Sequence, residues 1–309
     1  MSMKKVIIDV DTGIDDAMAI MLAIKSKKLD VMGITTVAGN TSIDYSTKNT
    51  LRVLKTIGRE DIQVYRGCSQ PLIRDTCFCE EVHGNNGLAG ALEDLEVEYK
   101  HKQHGVDYII DEVMRNKGEI TLVLLAPMTN VAMALRKEPE IAKYIKEIVT
   151  MGGVTTALGN ESLVSEFNIY ADPESAKIVF NSGVPIKMVG LDVTRKTLLM
   201  EEQLKSIEGD EKVTSLVKEI GKYYIDMYSG NNEIKCCALH DPLAVGVAID
   251  ESLVKTKKLF VDVETKSEHC DGQTICDFFG RSGREPNVEV CLEVDSNRFV
   301  SMFLDVIQS

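Results

Sequence analysis

Short apolar runs alternate with longer amphipathic stretches along most of the chain. The runs typical of buried strands fall at residues 5–10, 31–37, 62–65, 121–125, 147–151 and 186–189. The stretches with helical spacing fall between them, at residues 15–25, 42–56, 106–114, 130–135, 139–144 and 173–181. This alternation is the βαβ pattern, which predicts a largely parallel sheet with helices on its faces.

The rest of the chain predicts three more helices and then a different pattern. The helices are predicted at residues 201–207, 213–228 and 241–249. Residues 259–263 through 288–294 favour antiparallel strands, and residues 298–307 favour a closing helix. We expect one domain over residues 1–309, of the α/β class. Its sheet should be open, mostly parallel and Rossmann-like, flanked by helices, with a small C-terminal β/α region.

The charge of the chain excludes some partners. It has 35 Lys and Arg against 48 Asp and Glu, a net charge of −13. Nonspecific nucleic-acid binding needs a basic face, so we expect no nucleic-acid partner. No stretch approaches the roughly 18 apolar residues of a membrane span, and no secretory segment is visible. We therefore expect no membrane association and a cytoplasmic location.

Composition narrows the class further. Hydrophobic residues make up 44% of the chain and aromatic residues only 6%, without Trp, which is typical of a globular protein with an aliphatic core. The eight cysteines show no paired CxxC spacing. This excludes a structural zinc site and predicts free thiols in a reducing compartment.

Ligands of open parallel sheets bind beyond the carboxyl ends of the strands. Four segments follow predicted strands: residues 9–16, 36–40, 125–130 and 151–168. The first segment has four carboxylates, those of Asp9, Asp11, Asp15 and Asp16, at a strand end and a helix start. Gly13 predicts a tight turn that brings the later pair back towards the earlier pair.

Four like charges at one place need a counter-charge. A helix N-terminus stabilises a carboxylate by only about 0.3–1 kcal/mol, so capping accounts for one of the four, which we assign to Asp15. A solvated acidic face does not suit a segment that has apolar runs on both sides, at residues 6–8 and 17–22. A hard divalent cation with oxygen ligands, Ca²⁺ or Mg²⁺, is the natural partner.

Two other motifs fit this segment less well. An EF-hand loop that begins at Asp9 needs an acid at its twelfth position, which is Ile20, and a strand precedes the segment. The aspartyl-phosphate phosphatase motif Asp-x-Asp-x-Thr/Val fits Asp9 and Asp11 but meets Gly13 at its fifth position. It also leaves the later carboxylates unexplained.

Residues 9–16 resemble the N-terminal signature Asp-x-Asp-x-Gly-x-Asp-Asp of the inosine-uridine preferring nucleoside hydrolases, with Thr12 where that family usually has Pro. Further motifs follow in the family's order over essentially the whole chain: residues 35–40, 83–88, 126–130, 151–153, 166–173 and 240–242. The resemblance implies an α/β fold. It also implies hydrolysis of the N-glycosidic bond of a ribonucleoside to free base and ribose.

The resemblance assigns catalytic and metal-binding roles to matching residues. Asp11 would be the general base that takes a proton from the attacking water, and Asn40 would orient it. His240 would protonate the departing base, a task suited to histidine near neutral pH. Ca²⁺ would be bound by the carboxylates of Asp11, Asp16 and Asp241 and the backbone carbonyl of Leu125.

The same resemblance predicts the substrate contacts. Ribose hydroxyls would be bound by Asp15 and Asn168, and the 5′-hydroxyl by Asn160 and Glu166. Residues against the base and sugar would be Met151, Phe167, Tyr224, Tyr228 and His83, the last in a mobile loop. Structural interpretations stay open for several of these positions: turn residues, helix-start residues, capping or core packing of the two tyrosines.

We conclude that the sequence favours a Ca²⁺-dependent ribonucleoside N-ribohydrolase that acts on uridine- or inosine-type nucleosides. The absence of Trp argues against the purine-specific branch of the family, whose members stack the base between tryptophans. Two alternatives remain: a Mg²⁺-dependent phosphohydrolase, and an inactive module that binds nucleoside or ribose. By resemblance we also expect a homodimer or homotetramer.

Overall fold

The computed structural model describes residues 3–230 and 232–309. The strands are β1 (Lys4–Val10), β2 (Leu29–Thr36), β3 (Val64–Arg66), β4 (Thr121–Leu124), β5 (Glu147–Met151), β6 (Ile186–Val189), β7 (Leu198–Met200), β8 (Cys236–Ala238), β9 (Val254–Val263), β10 (Thr274–Asp277) and β11 (Val288–Val294). The helices are α1 (Ile14–Lys25), α2 (Ile43–Thr56), α3 (Glu80–His83), α4 (Gly105–Arg115), α5 (Thr129–Lys137), α6 (Phe167–Ala171), α7 (Pro173–Phe180), α8 (Leu191–Thr194), α9 (Glu201–Lys205), α10 (Glu211–Ser229), α11 (His240–Ile249) and α12 (Ser296–Gln308). Two 3₁₀ helices cover Pro139–Lys143 and Glu251–Leu253.

Nine strands form one sheet, in the order β10-β9-β11-β6-β5-β4-β1-β2-β3. All neighbours from β11 to β3 run parallel, while β9 runs antiparallel to both β11 and β10. The chain begins at β1, proceeds outward to β3, and then continues on the other side of β1 with β4. Because the strand order reverses there, the carboxyl ends of β1 and β4 border the crevice where open sheets bind ligands. The predicted α/β class and mostly parallel sheet are confirmed.

Helices cover both faces of the sheet, so β1 is apolar on both of its sides. Ile8 packs in one core cluster with Met18 of α1, and Ile7 packs in the other with Phe180 of α7. Burying one such side chain contributes about 1.5–3 kcal/mol to folding. Every residue of α1 from 14 to 23 is buried, since this helix lies against the sheet, α10 and α11. The start of α1 is therefore held rigidly beneath the crevice.

The structure differs from the predicted elements in three respects. The C-terminal strands are not an appended region, because β11 pairs in parallel with β6 and so extends the main sheet. The helix predicted at residues 139–144 is a 3₁₀ helix that begins at Pro139. The short elements α3, α6, α8 and the two-stranded β7–β8 sheet were not predicted.

All eight cysteines are free thiols.

In the described part of the chain, the helices are all too short or too polar to traverse a lipid bilayer.

Candidate active site

A cavity of about 270 Å³ opens at the carboxyl edge of the sheet. Its lining residues are Asp15, Asn40, Cys79, Val82, His83, Leu125, Met151, Asn160, Glu161, Glu166, Phe167, Asn168, Arg195, Tyr224, Met227, Tyr228, His240 and Asp241. The structure thus brings together all the site residues predicted from the sequence except Asp11 and Asp16, which lie behind the cavity wall. A larger surface groove of about 940 Å³ shares no lining residue with this cavity.

Asp11 follows β1 and is completely buried. Asn40, which follows β2, donates its backbone N–H to Asp11 Oδ2 at 2.6 Å and its side-chain Nδ2 to Asp11 Oδ1 at 3.1 Å. Both carboxylate oxygens are therefore held by one residue of the neighbouring strand end. Burial, together with the Asp16 charge, raises the pKa of Asp11 well above its ordinary value.

Asp16, not Asp15, caps the first helix. Its Oδ2 accepts the backbone N–H of Gly13 at 2.9 Å and Asn40 Nδ2 at 3.0 Å. The capping role expected for Asp15 was wrong, because the third helical residue, Asp16, reaches back to the residue that precedes the helix. Burial raises the pKa of Asp16 to about 6.

Gly13 serves a different purpose from the turn that we expected. Its φ of −95° is available to any residue. A Cβ at this position would lie 2.5 Å from Nδ1 of His83 and 2.9 Å from Nδ2 of Asn40. Glycine is required here because two site residues pack against its backbone.

Asp9 belongs to a separate set of contacts. Its Oδ1 accepts Asn130 Nδ2 at 2.7 Å and also the hydroxyl of Thr35. Asp9 does not line the cavity, and it connects β1 to β2 and α5. The first carboxylate of the motif therefore stabilises the edge of the sheet and has no contact with the cavity.

Three carboxylates gather beside the cavity. Asp15, Asp16 and Asp241 each present an oxygen, and these oxygens lie within 4.8 Å of one another. Burial and the Asp16 charge raise the pKa of Asp15 to about 8. Burial and the charges of Asp15 and Asp16 raise the pKa of Asp241 well above its ordinary value.

This carboxylate group fits a hard cation. Asp15 Oδ1 is buried and has no hydrogen-bond partner among the described residues. Buried carboxylates that lack donors and face like charges are stable in the ionised form only with a positive partner. The donor set consists of oxygens alone, which suits Ca²⁺ or Mg²⁺ better than zinc. The group could therefore hold a metal ion.

Glu166 and Asn168 are positioned by the start of α6. The Glu166 carboxylate caps this helix, accepting Asn168 N–H at 2.9 Å and Ile169 N–H at 3.2 Å, and it also accepts Gly153 N–H at 2.9 Å. Asn168 Nδ2 donates to the carbonyl of Leu125 at 3.1 Å. This hydrogen bond fixes the carbonyl of Leu125, which directly follows β4 and lines the cavity. Burial raises the pKa of Glu166 to about 7.

His83 is buried at the end of α3, where we had expected a mobile loop. Its Nδ1 accepts the backbone N–H of Ile14 at 3.1 Å. Its ring lies 6.1 Å from the ring of Tyr224, between ring centroids. Burial lowers the pKa of His83 to about 3.

His240 begins α11 on the aromatic side of the cavity. Its Nδ1 lies 2.8 Å from the hydroxyl of Thr194, so Nε2 is the ring nitrogen left for a ligand. Burial, and then the charge of Arg195, lower the pKa of His240 to about 4. The Tyr228 ring lies 6.5 Å from His240 and 6.4 Å from Tyr224. The two tyrosines share one face of α10, as their spacing predicts.

Five lining residues were not predicted: Cys79, Val82, Glu161, Arg195 and Met227. Arg195 directly follows α8, the short helix that comes after β6. The strand-end rule that identified the other segments would have found it if it had been applied to residues 186–189 as well. The remaining four lie on α10, near α3 or in the segment before α6, where the sequence offers no distinguishing motif.

Comparisons with known proteins agree with this geometry. Residues 6–301 match the family described as inosine-uridine preferring nucleoside hydrolase. The pyrimidine-specific ribonucleoside hydrolase RihB of Escherichia coli K12 is 37% identical over 300 residues, which cover 97% of this chain and 95% of that protein. A plant nucleoside hydrolase, PpNRh1, superposes with a TM-score of 0.95 at 33% identity, with 100% of both chains covered.

A further solved structure is a purine-preferring ribonucleoside hydrolase from Gardnerella vaginalis. It superposes with a TM-score of 0.90 at 35% identity, covering 99% of this chain and 98% of that chain. The matches thus extend over nearly the whole sequence and include the strand ends that form the cavity. The chain belongs to the family of inosine-uridine preferring nucleoside hydrolases, enzymes that cleave the N-glycosidic bond of ribonucleosides.

Proposed function

We propose that this enzyme hydrolyses uridine- or inosine-type ribonucleosides with Ca²⁺ at its carboxylate group and Asp11 as general base. The observation that supports this most is the group of three buried carboxylates, Asp15, Asp16 and Asp241, whose oxygens lie within 4.8 Å of one another. The cavity beside them has an aromatic side suited to a nucleobase. A nucleoside presents hydroxyls at one end and a flat base at the other, as this arrangement requires.

The residues that would hold Ca²⁺ are Asp11, Asp16, Asp241 and the carbonyl of Leu125. When bound, such a cation lowers the pKa of water and orients hydroxyl groups. We assign Asp15 and Asn168 to the ribose hydroxyls. Asp15 lines the cavity, and a hydroxyl would supply the donor that its Oδ1 lacks.

Asp11 would accept a proton as water adds to C1′ of the ribose. The electron pair of the C1′–N bond then leaves with the base, which takes up a proton from His240. Because the pKa of His240 is lowered to about 4 in the absence of substrate, His240 must gain this proton when the substrate is bound. The two donors of Asn40 hold Asp11 in one orientation throughout this step. Positive charge develops on the ribosyl group as the bond breaks, and the surrounding carboxylates and amides stabilise it.

Base recognition would fall to Phe167, Tyr224 and Tyr228, with Met151 and His83 nearby in the same cavity. Asn160 and Glu166 would hold the 5′-hydroxyl. A 5′-phosphate would be repelled by the Glu166 carboxylate, so we expect unphosphorylated nucleosides as substrates. The relatives include a pyrimidine-specific and a purine-preferring enzyme at similar identity, so we propose testing both base classes.

A phosphohydrolase would need a lysine and several phosphate donors at the cavity. None of the described lining residues is a lysine, and Arg195 already donates to the carbonyls of Leu158 and Gly159. This distribution of donors favours a neutral nucleoside over a phosphate ester.

The experiment is base release, followed by chromatography, from inosine, adenosine, guanosine, uridine and cytidine. We expect turnover of uridine or inosine, with slower release from at least one other nucleoside. The same panel with nucleoside 5′-monophosphates should give no release. Binding of nucleosides without turnover would support an inactive binding module instead.

We further propose that the enzyme is a homodimer or homotetramer located in the cytoplasm. Light scattering of the purified protein tests the first statement, and cell fractionation tests the second. A monomer in solution, or protein outside the cytoplasmic fraction, would contradict the respective statement.

A further inference from the structure

The segment between β5 and α6, residues 152–166, is called here the β5–α6 loop. It contributes Asn160, Glu161 and Glu166 to the cavity lining, yet it has no helix or strand of its own. A loop of this length needs outside contacts to hold its side chains in place. Thr274 and Asp271 bind the two ends of the loop, at Val154 and Ser165, and the contacts to its middle part come from the segment that follows β6.

Asp192, in α8, holds the first part of this loop. Its carboxylate accepts three consecutive backbone N–H groups, those of Thr155 at 2.7 Å, Thr156 at 2.9 Å and Ala157 at 3.0 Å. Asp192 is only 9% exposed, and burial alone would raise the pKa of its carboxyl group. The hydrogen bonds from the amides of Thr156 and Thr155 outweigh the effect of burial, so the pKa lies below its ordinary value. The side chain is therefore ionised at neutral pH and bound to the loop.

Arg195 holds the next two residues. Its guanidinium donates to the carbonyl of Leu158 at 2.6 Å and to the carbonyl of Gly159 at 2.7 Å. Together, Asp192 and Arg195 bind the backbone of every residue from 155 to 159. The Asp192 carboxylate accepts from N–H groups and the Arg195 guanidinium donates to carbonyls, so each charged group has partners of the matching kind.

Asn160 immediately follows the residues that Arg195 holds. Its Oδ1 accepts the backbone N–H of Phe167 at 3.0 Å, and its own N–H donates to Ser165 at 3.1 Å. Gly159 has no room for a side chain, since a Cβ would lie 2.2 Å from the carbonyl oxygen of Ser162. The loop is tightly folded at this point, so a shift of Gly159 is transmitted to Asn160.

We infer that Arg195 and Asp192 are positioning residues that set the enzyme's requirement for a 5′-hydroxyl on the substrate. This inference rests on the proposed function, in which Asn160 and Glu166 bind that hydroxyl. Arg195 is the more informative of the two residues, because it holds the loop directly beside Asn160. Neither residue needs to touch the reacting atoms to have this effect.

The test compares kcat/KM for uridine with kcat/KM for 5′-deoxyuridine, or the same pair with inosine if that is the better substrate. The two substrates of a pair share one base, so any effect of Arg195 on base departure cancels in the ratio. In Arg195→Ala we expect the ratio to fall about tenfold, the equivalent of one hydrogen bond. The loss should come mainly from a higher KM for the 5′-hydroxyl substrate.

Two variants and one control complete the design. Arg195→Lys retains a donor for one carbonyl and should restore part of the ratio. Asp192→Asn should lower the ratio less than Arg195→Ala, because it loosens the loop farther from Asn160. Lys196→Ala removes the exposed neighbouring cation and should leave the ratio unchanged.

Amide hydrogen exchange of residues 155–160 gives a readout that does not depend on activity. We expect faster exchange there in Arg195→Ala than in the wild type. Equal losses on both substrates, with the ratio unchanged, would overturn the inference while leaving the proposed function standing. A wild-type enzyme that released no base from any nucleoside would overturn both.

Discussion

Asn40 determines how Asp11 is presented to the cavity. Its backbone and side chain each donate to a different oxygen of the carboxylate, so the group cannot rotate without losing a hydrogen bond. Asn40 Nδ2 also donates to Asp16, which joins the proposed base to a proposed Ca²⁺ ligand. A single amide thus orders two of the carboxylates on which the proposed chemistry depends.

Replacing Asp11 with Asn should remove nearly all turnover without unfolding the enzyme. The amide has nearly the same shape but cannot accept a proton from water, so we expect kcat to fall by about 100- to 10,000-fold. Steady-state base release measures this, with circular dichroism to verify the fold. The matched control is Asp61→Asn at an exposed carboxylate paired with Arg59, which should retain full activity. Near-wild-type kcat in Asp11→Asn would remove Asp11 from the mechanism.

Replacing His240 with Ala should affect substrates according to their leaving group. Release of a nucleobase needs a proton and should slow by about 100-fold or more, whereas p-nitrophenyl riboside, whose leaving group needs none, should change little. Thr194→Val removes the hydroxyl 2.8 Å from His240 Nδ1. This variant should also slow nucleobase release more than the hydrolysis of p-nitrophenyl riboside, but by a smaller factor than His240→Ala. Equal losses on both substrates would mean that His240 only positions the substrate.

Sequence motifs predicted which residues line the cavity far better than they predicted the contacts between those residues. Asp11 and Asn40 were each predicted, but their hydrogen bonds depend on the β1–β2 register, in which Val10 lies opposite Thr36. The choice between Asp15 and Asp16 as the capping residue depended on one turn of backbone. Such contacts join residues that are far apart in the sequence, and they depend on backbone positions to within fractions of an ångström. A pattern of residue types specifies neither the partner nor the distance.

Among the elements, α8 has an influence out of proportion to its four residues. It begins directly beyond β6, contains Asp192, which binds three amides of the β5–α6 loop, and ends at Thr194 beside His240. One short helix therefore borders both the proposed 5′-hydroxyl site and the proposed proton donor. A substitution that destabilises α8 should therefore also disturb the positions of the cavity residues that this helix contacts.

Asp192→Asn should destabilise the enzyme in a pH-dependent way. The pKa of Asp192 is lowered in the folded state, so its contribution is present above the unfolded value near 3.8 and is lost as pH falls through the folded value. We expect the variant to lose roughly 1–3 kcal/mol of unfolding free energy at pH 7 and pH 5. The difference should shrink towards pH 3.

Urea unfolding at these three pH values measures the Asp192 contribution. The control is Asp226→Asn, an exposed carboxylate one helical turn from Lys222, which should change the unfolding free energy little at any pH. A deficit in Asp192→Asn that grew as the pH fell would contradict the assigned direction of the pKa.

Elements with a strong local hydrophobic pattern could be predicted from the sequence, and elements that depend on tertiary contacts could not. The runs at residues 147–151 and 186–189 match β5 and β6, because an apolar run buried on both faces is a strong local signal. Helix α6 has five residues and depends on the Glu166 cap, and β7 exists only by pairing with β8, which follows α9 and α10 in the chain. These elements are products of tertiary contacts.

At the scale of the whole molecule, the fold concentrates negative charge at one point. The reversal of strand order at β1 places the ends of β1 and β4 side by side, and α11 brings Asp241 to Asp15 and Asp16. Residues more than 200 positions apart thus form one buried group of like charges. Without a cation, this arrangement opposes folding.

Ca²⁺ should therefore stabilise the folded enzyme. At a concentration 100 times its Kd, a ligand bound only by the folded state adds about 2.7 kcal/mol. We expect Tm to rise on adding Ca²⁺ to metal-stripped enzyme, as measured by scanning calorimetry. Asp241→Asn should reduce this rise, and Asp61→Asn should not. An unchanged Tm in the wild type would argue against a cation at the carboxylate group.

The most direct test of a Ca²⁺-dependent ribohydrolase is the rate of base release by metal-stripped enzyme before and after Ca²⁺ is restored. Uridine and inosine are the substrates, and chromatography of the free base is the readout. We expect negligible release after stripping and recovery of the original rate with Ca²⁺. Full turnover in the stripped enzyme, or none after Ca²⁺ is restored, would contradict the proposed role of the carboxylate group.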